Sequence, residues 1–222
     1  MHDQSAMSEP ATADAPEPRW PAVIAVLAAG GLYAALPGFL SVGPHWLVPA
    51  IVCGLAAASI VTYHRGIHTA NVVLGHLLTA ALTGFMLWSL VLLVRALPAH
   101  KEQPVPLLRS AALLWVTNVL VFALWYWRLD AGGPHARDRV PGYTTGAFLF
   151  PQMTLKHQSE RRAPPWSPTF IDYLFISFNT STALSPTDAP VLSRWAKILM
   201  MIQASISLTV VVILAGRAVN IL

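Results

Sequence analysis

Five stretches of this chain are apolar over lengths close to a bilayer crossing, and nothing else in the sequence constrains the fold as much. They cover residues 20–40, 46–62, 70–97, 107–127 and 195–222. A helix needs about 20 mostly apolar residues to span the hydrocarbon core, and in lipid it satisfies its own backbone polar groups. The expectation is an all-α, polytopic helical membrane protein. Composition agrees, since only 11% of the 222 residues are charged and 55% are hydrophobic, whereas soluble domains carry about 25% charged residues. The net charge of +4 is modest and scattered. It offers no patch for nucleic acid, and basic residues in such a chain more often orient loops. Cys53 is the single cysteine and lies in an apolar stretch. An intrachain disulfide is excluded, and a buried, inert thiol is expected.

Residues 1–19 are polar, acidic and interrupted by Pro10, Pro16 and Pro18, which reads as a disordered tail. No basic segment precedes the first apolar stretch, so that stretch is expected to stay as an anchor. Residues 20–106 form an N-terminal three-helix membrane region, and 107–222 a second membrane region. Within the second, the connector 128–168 carries Gly132-Gly133-Pro134 and Pro164-Pro165, with Arg137, Arg139, Lys156, Arg161 and Arg162. These cations place most of it in water and, by the positive-inside rule, in the cytoplasm. Its apolar inset at 146–153 is too short to span. It is expected to lie on the membrane surface or pack on the bundle.

The stretch 170–188, FIDYLFISFNTSTALSPTD, behaves differently from the five. A short apolar segment gives way to hydroxyls, one amide and a Pro-Thr-Asp turn. Backbone that leaves the helix at membrane depth is tolerated only where protein or water covers it, so a short re-entrant segment is expected here beside the five spans. Candidate pore-lining residues are Thr180, Thr182, Ala183, Leu184, Ser185, Pro186, Thr187 and Asp188, joined by Gln203 and Ser207 one turn apart on the last span. Ser205 and Thr209 make a second such pair on another side. If several chains surround an axis, Asp188 forms an acidic ring that concentrates cations; alternatively it caps the last helical region. Asp172 lies where a helix dipole favours an acidic group.

His64, His68 and His76 would share one side if helix continued through them, as metal or haem ligands do. Interfacial histidines beside Arg65 explain them equally, and neither metal nor cofactor is predicted. No Gly-rich phosphate loop, paired-cysteine motif or nucleophile turn occurs, so no enzyme is expected.

From Ser177 onward the chain resembles the pore hairpin of tetrameric potassium channels. Residues 180–188, TSTALSPTD, lie on that family's filter pattern without a gap, matching its outer threonines, aliphatic residue and final Asp. Ser185 and Thr187 stand where the pattern has glycine, and Pro186 where it has tyrosine. Without glycine, successive carbonyls cannot all turn to one axis, and proline restricts Ser185 before it. Hydroxyl, amide and carboxylate groups would then line a less selective path. A second resemblance spans about 113–222, to the DUF1345-like family of uncharacterised bacterial integral membrane proteins. It rests on Trp115, Tyr126, Gly132-Gly133, Phe150-Pro151, Asp172-Tyr173, Phe175, Ser177-Phe178, Ser185, Asp188 and Val219-Asn220. That family supplies no activity to carry over.

Together these readings lead to a pore-loop, channel-like protein for passive cation passage. It would sit as a multi-pass protein in the bacterial inner membrane. Its expected partners are lipid, further copies of itself (four by analogy) and monovalent cations, without nucleic acid. The competing expectations are a non-conducting membrane scaffold or subunit, and a metal- or haem-binding membrane protein.

Overall fold

The structure is a computed structural model that describes residues 16–97, 104–139, 143, 146–154, 166–182 and 189–219. Its helices are α1 (Trp20–Ala34), α2 (Leu47–His64), α3 (His68–Ala96), α4 (Pro104–Leu129), α5 (Pro134–Arg137), α6 (Phe170–Thr182) and α7 (Arg194–Val219). Among the described residues there is no strand, only one isolated antiparallel bridge between Phe148 and Val191. Four helices, α2, α3, α4 and α7, are long and apolar enough to cross a bilayer. Large apolar side chains such as Leu77, Trp88, Met201, Leu208 and Val212 point outward, each more than half exposed. Apolar faces of that extent belong against lipid, and the chain is a helical membrane protein.

The first apolar stretch folds as two pieces. Pro21 stands in the first turn of α1, where its missing N–H costs nothing. The helix stops at Ala34, and Gly38–Leu40 forms a separate 3-10 turn after Pro37, which has no N–H with which to continue the ladder. The 15 residues of α1 rise only about 22 Å. Ser89 of α3 donates to the Leu40 carbonyl at 2.8 Å and holds the turn against the bundle. Cys53, expected to be buried, is exposed on the outer face of α2.

The hub is α4. It packs against α1 and α3 on one side and against α6 and α7 on the other, so the two regions share one core. Its side chains from Val121 to Leu124, with Tyr126, are all but inaccessible. Beyond it the chain turns sharply at Gly133, whose φ of +87° and ψ of 175° are essentially reserved for glycine. A Cβ there would stand 2.7 Å from the Arg128 carbonyl oxygen. Gly133→Ala is expected to destabilise the protein by about 2–3 kcal/mol, read from thermal unfolding in detergent; an unchanged midpoint would show that the turn relaxes freely.

The connector's apolar inset packs on the bundle rather than lying on a surface. Phe148 and Phe150 are buried, with Phe148 ringed by Tyr126, Tyr173 and Trp195 at centroid distances of 5.4–6.3 Å. The segment before α7 joins it: the Leu149 N–H donates to Pro190 O at 2.9 Å and the Leu192 N–H to Ala147 O at 2.7 Å.

Those contacts establish the direction of α6. Trp127 meets Phe170, Val119 bonds Ser177 and Trp115 meets Phe178, so α6 runs antiparallel to α4. Ser177 bonds Gln203 and Ser181 bonds Ser207, each pair advancing by four, so α6 runs parallel to α7. The 13-residue helix rises about 20 Å and ends level with the middle of α7. Tyr173, near the start of α6, and Trp195, near the start of α7, both lie against Phe148. The two parallel neighbouring helices thus begin at the same end of the bundle, and α6 reaches only half the length of α7.

Candidate functional site

A polar seam runs between α4, α6 and α7 in the core of this hairpin. Gln203 is fully buried, and its Nε2 reaches the Ser177 carbonyl, the Ser177 hydroxyl and the Ser181 hydroxyl at 2.7–2.8 Å. The Tyr126 hydroxyl donates to Gln203 Oε1 at 2.5 Å. Ser177 donates onward to Val119 O at 2.6 Å. Ser207 donates to the Ser181 carbonyl and accepts from Trp115 Nε1 at 2.9 Å. Asn118 Nδ2 stands 3.4 Å from Ser181 Oγ and from Gln203 O, while its buried Oδ1 has no partner among the described residues. The seam closes the C-terminal half of α6 onto two long helices.

Gln203 and Ser207, expected on an inner lining, are thus turned into their own protomer and saturated by α4 and α6. The pair facing away is Ser205 and Thr209, both exposed, each hydroxyl bonded back to its own helix at Met201 O and Ser205 O. Thr180 and Thr182 are half-buried and bond back to Ile176 O and Asn179 O. The remaining candidates, Ala183, Leu184, Ser185, Pro186, Thr187 and Asp188, lie outside the described residues. Asp172 accepts from the Thr169 N–H at 2.7 Å and from its hydroxyl at 3.0 Å. Asp172 thus satisfies the N–H that opens the first turn of α6, one half of a capping box.

A second cluster sits where the connector meets the bundle. Asp130 is fully buried, its carboxylate accepting from Tyr143 Oη at 2.6 Å, Tyr173 Oη at 2.7 Å and the Ala147 N–H at 2.6 Å. Burial, and after it the Asp130 carboxylate, push the Tyr143 phenol well above its ordinary pKa, so it remains a donor. Arg137, expected in water, is only 6% exposed. It donates to Trp127 O and Asp130 O at 2.9 Å and pairs with Glu17 at 3.0 Å. Glu17 also accepts from Trp127 Nε1 at 2.6 Å. The last residues of the expected disordered tail are therefore docked; residues 1–15 lie outside the described residues. Sequence reasoning missed Asp130 and Asn118 and met Trp115 only through a family resemblance. A signal existed for two of them: Trp115, Asn118, Phe122 and Tyr126 recur at helical spacing along one face of α4.

The histidines do not converge as a ligand set. The chain turns at Gly66, so α2 ends at His64 and α3 begins at His68. His76 Nδ1 lies 2.8 Å from its own helix at Val72 O, and His68 stacks edgewise on His135 at 4.9 Å. Among the described residues no group of three or more His, Cys, Asp or Glu side chains could hold a metal ion.

The architecture defines a class: an all-α protein with four helices long and apolar enough to cross a bilayer, and a half-length helix packed parallel to the last of them. No protein-family model, curated protein or solved structure matches this chain.

Proposed function

We propose that this chain is a passive, cation-conducting channel of the re-entrant-helix kind, assembled from several copies around the free face of α7. The reading rests on the resemblance of 180–188 to a channel filter; the resemblance of 113–222 to the DUF1345-like bacterial family supplies no activity. One observation carries it: α6 and α7 begin at the same end of the bundle, and α6 stops midway, next to Ser181 and Ser207. A helix ending at half depth directs its carbonyl end, with roughly half a negative charge, toward the membrane centre. That potential favours a cation there over an anion. Ser185, Thr187 and Asp188 come next in the sequence and would supply the lining oxygens in this reading.

The roles on α7 divide accordingly. Gln203 and Ser207 hold α6 in position. Ser205 and Thr209 lie on the exposed side, which is where a symmetry axis would run. The basic connector would lie in the cytoplasm. The protein would have no catalytic activity, no cofactor and no nucleic-acid partner.

Purified oligomer in planar bilayers is expected to pass monovalent cations, and Asp188→Asn to reduce the current several-fold. Silence from pure, oligomeric protein would end the channel reading. A competing reading is favoured by the saturation of Gln203 and Ser207 within one protomer, which leaves these groups needing no neighbour. It is a non-conducting membrane subunit, and a strictly monomeric state in mild detergent would support it.

A further inference from the structure

A cleft of about 380 Å³ opens among α1, α2, α3 and α4, on the opposite side of α4 from the re-entrant helix. Its walls are apolar: Ile24 and Val26 of α1, Ala56 and Ile60 of α2, Leu78 of α3. Its polar lining includes Arg128 and Arg19, with His64, Asn71, His76 and His135. The volume is within the range of small-ligand sites, which pair apolar walls with a few convergent polar groups.

Arg128 is the unusual member. Its Nε donates to Thr79 Oγ1 at 3.1 Å, which fixes the plane of the guanidinium. The group lies against Gly75 of α3 so closely that a Cβ there would stand 1.8 Å from Nη1. It also lies 5.3 Å from the Trp127 ring centroid. Among the described residues no acceptor or carboxylate meets Nη1 or Nη2. The nearby acids are committed elsewhere: Glu17 to Arg19, Arg137 and Trp127, and Asp138 to Arg19. A cation fixed in an apolar cleft without a counter-ion is unfavourable. A guanidinium whose two terminal amino groups are free and share one plane matches the two oxygens of a phosphate.

The lips of the cleft are exposed apolar side chains. Trp20 and Ile24 on one lip are 65% and 56% exposed, and Ile60 on the other is 40% exposed. Trp20, Tyr63 and Trp127 sit at the same end, as aromatic side chains do at headgroup level. A ligand therefore reaches Arg128 sideways from the bilayer, with an apolar body to lay along α1 and α2.

We propose that this cleft binds an anionic phospholipid, its phosphodiester on the two free nitrogens of Arg128 and one acyl chain between α1 and α2. The site is separate from the re-entrant hairpin and does not depend on conduction. If the basic connector is cytoplasmic, the lipid belongs to the inner leaflet, which is where anionic headgroups attract cationic segments.

Native mass spectrometry of the full chain in detergent, titrated with phosphatidylglycerol, phosphatidylcholine or inorganic phosphate, tests this. One phosphatidylglycerol per protomer is expected to bind about fivefold more tightly than phosphatidylcholine, unaffected by millimolar phosphate. Arg128→Gln should abolish that preference. Ile60→Trp keeps Arg128 and fills the cleft from an exposed position, so it remains informative if Arg128→Gln folds poorly; it should weaken binding of both lipids. Equal binding of the two lipids to the native chain would overturn the proposal. So would phosphatidylglycerol affinity unchanged in Ile60→Trp, and so would displacement of the lipid by free phosphate, which would mark a soluble-anion site.

Discussion

Asp130→Ala is expected to lose about 3–5 kcal/mol of stability, the scale found when one partner of a buried charged network is removed. Three donors end on this carboxylate: Tyr143 Oη, Tyr173 Oη and the Ala147 N–H. Each left without an acceptor in a dry environment costs about 1–3 kcal/mol. Tyr143 has a fallback in Phe148 O at 3.3 Å, which lowers the total. Tyr173 and Ala147 have none among the described residues. The loss should be regional as well as large, because Asp130 connects α4, the connector and α6. Near-ultraviolet circular dichroism should lose the signal of the aromatic group around Phe148 before helix content falls. Asp130→Asn, which keeps the shape and one good acceptor, should fall between. A loss below about 1 kcal/mol, the size of one ordinary hydrogen bond, would mean that the cluster is not what docks the connector.

Gln203→Leu should have the second largest effect, and its magnitude separates two views of the seam. Interhelical polar contacts in membranes average about 0.6 kcal/mol, because the unfolded chain in lipid also finds partners. Gln203 makes one bond to Tyr126 and reaches three acceptors on α6. The expected total is therefore about 2 kcal/mol rather than the larger figure that neutral bonds in a soluble core would suggest. The Ser177 and Ser181 hydroxyls can turn back to their own helix, whereas the Tyr126 hydroxyl cannot. Tyr126→Phe in the same background should recover part of the loss by removing the orphaned donor. Thermal unfolding of the four members of this cycle measures the coupling. Additive effects would show that the amide and phenol do not depend on each other. In the channel reading, Gln203→Leu also lowers conductance, since the C-terminal half of α6 loses its anchor while α7 keeps its exposed face.

Particular residues show what could be read along the chain. Five apolar lengths imply helices and lipid because a bilayer accepts little else, and four long helices are found. Pro37 ends α1 earlier than hydropathy alone suggests, since apolarity extends through Leu40 while the hydrogen-bond ladder does not. Asp172 beside the start of α6 was legible from dipole reasoning, and Thr169 completes the cap. Asp130 was not legible. It follows an aromatic helix end like any interfacial acid, and its partners lie 13 to 43 residues away.

By itself the sequence determined the elements: where the long helices form and that their composition suits lipid. The tertiary structure alone decided their partners. On α7 the Gln203/Ser207 and Ser205/Thr209 pairs are alternative faces of one uniformly apolar helix, so periodicity cannot choose between them. The choice fell to Ser177 and Ser181, which meet only the first pair because α6 lies parallel to α7. Arg128 likewise looked like a helix-end cation, and only the close approach of α3 at Gly75 turns it into a cleft. Hydropathy is a property of each segment alone, whereas a site requires side chains from segments that the linear order keeps apart.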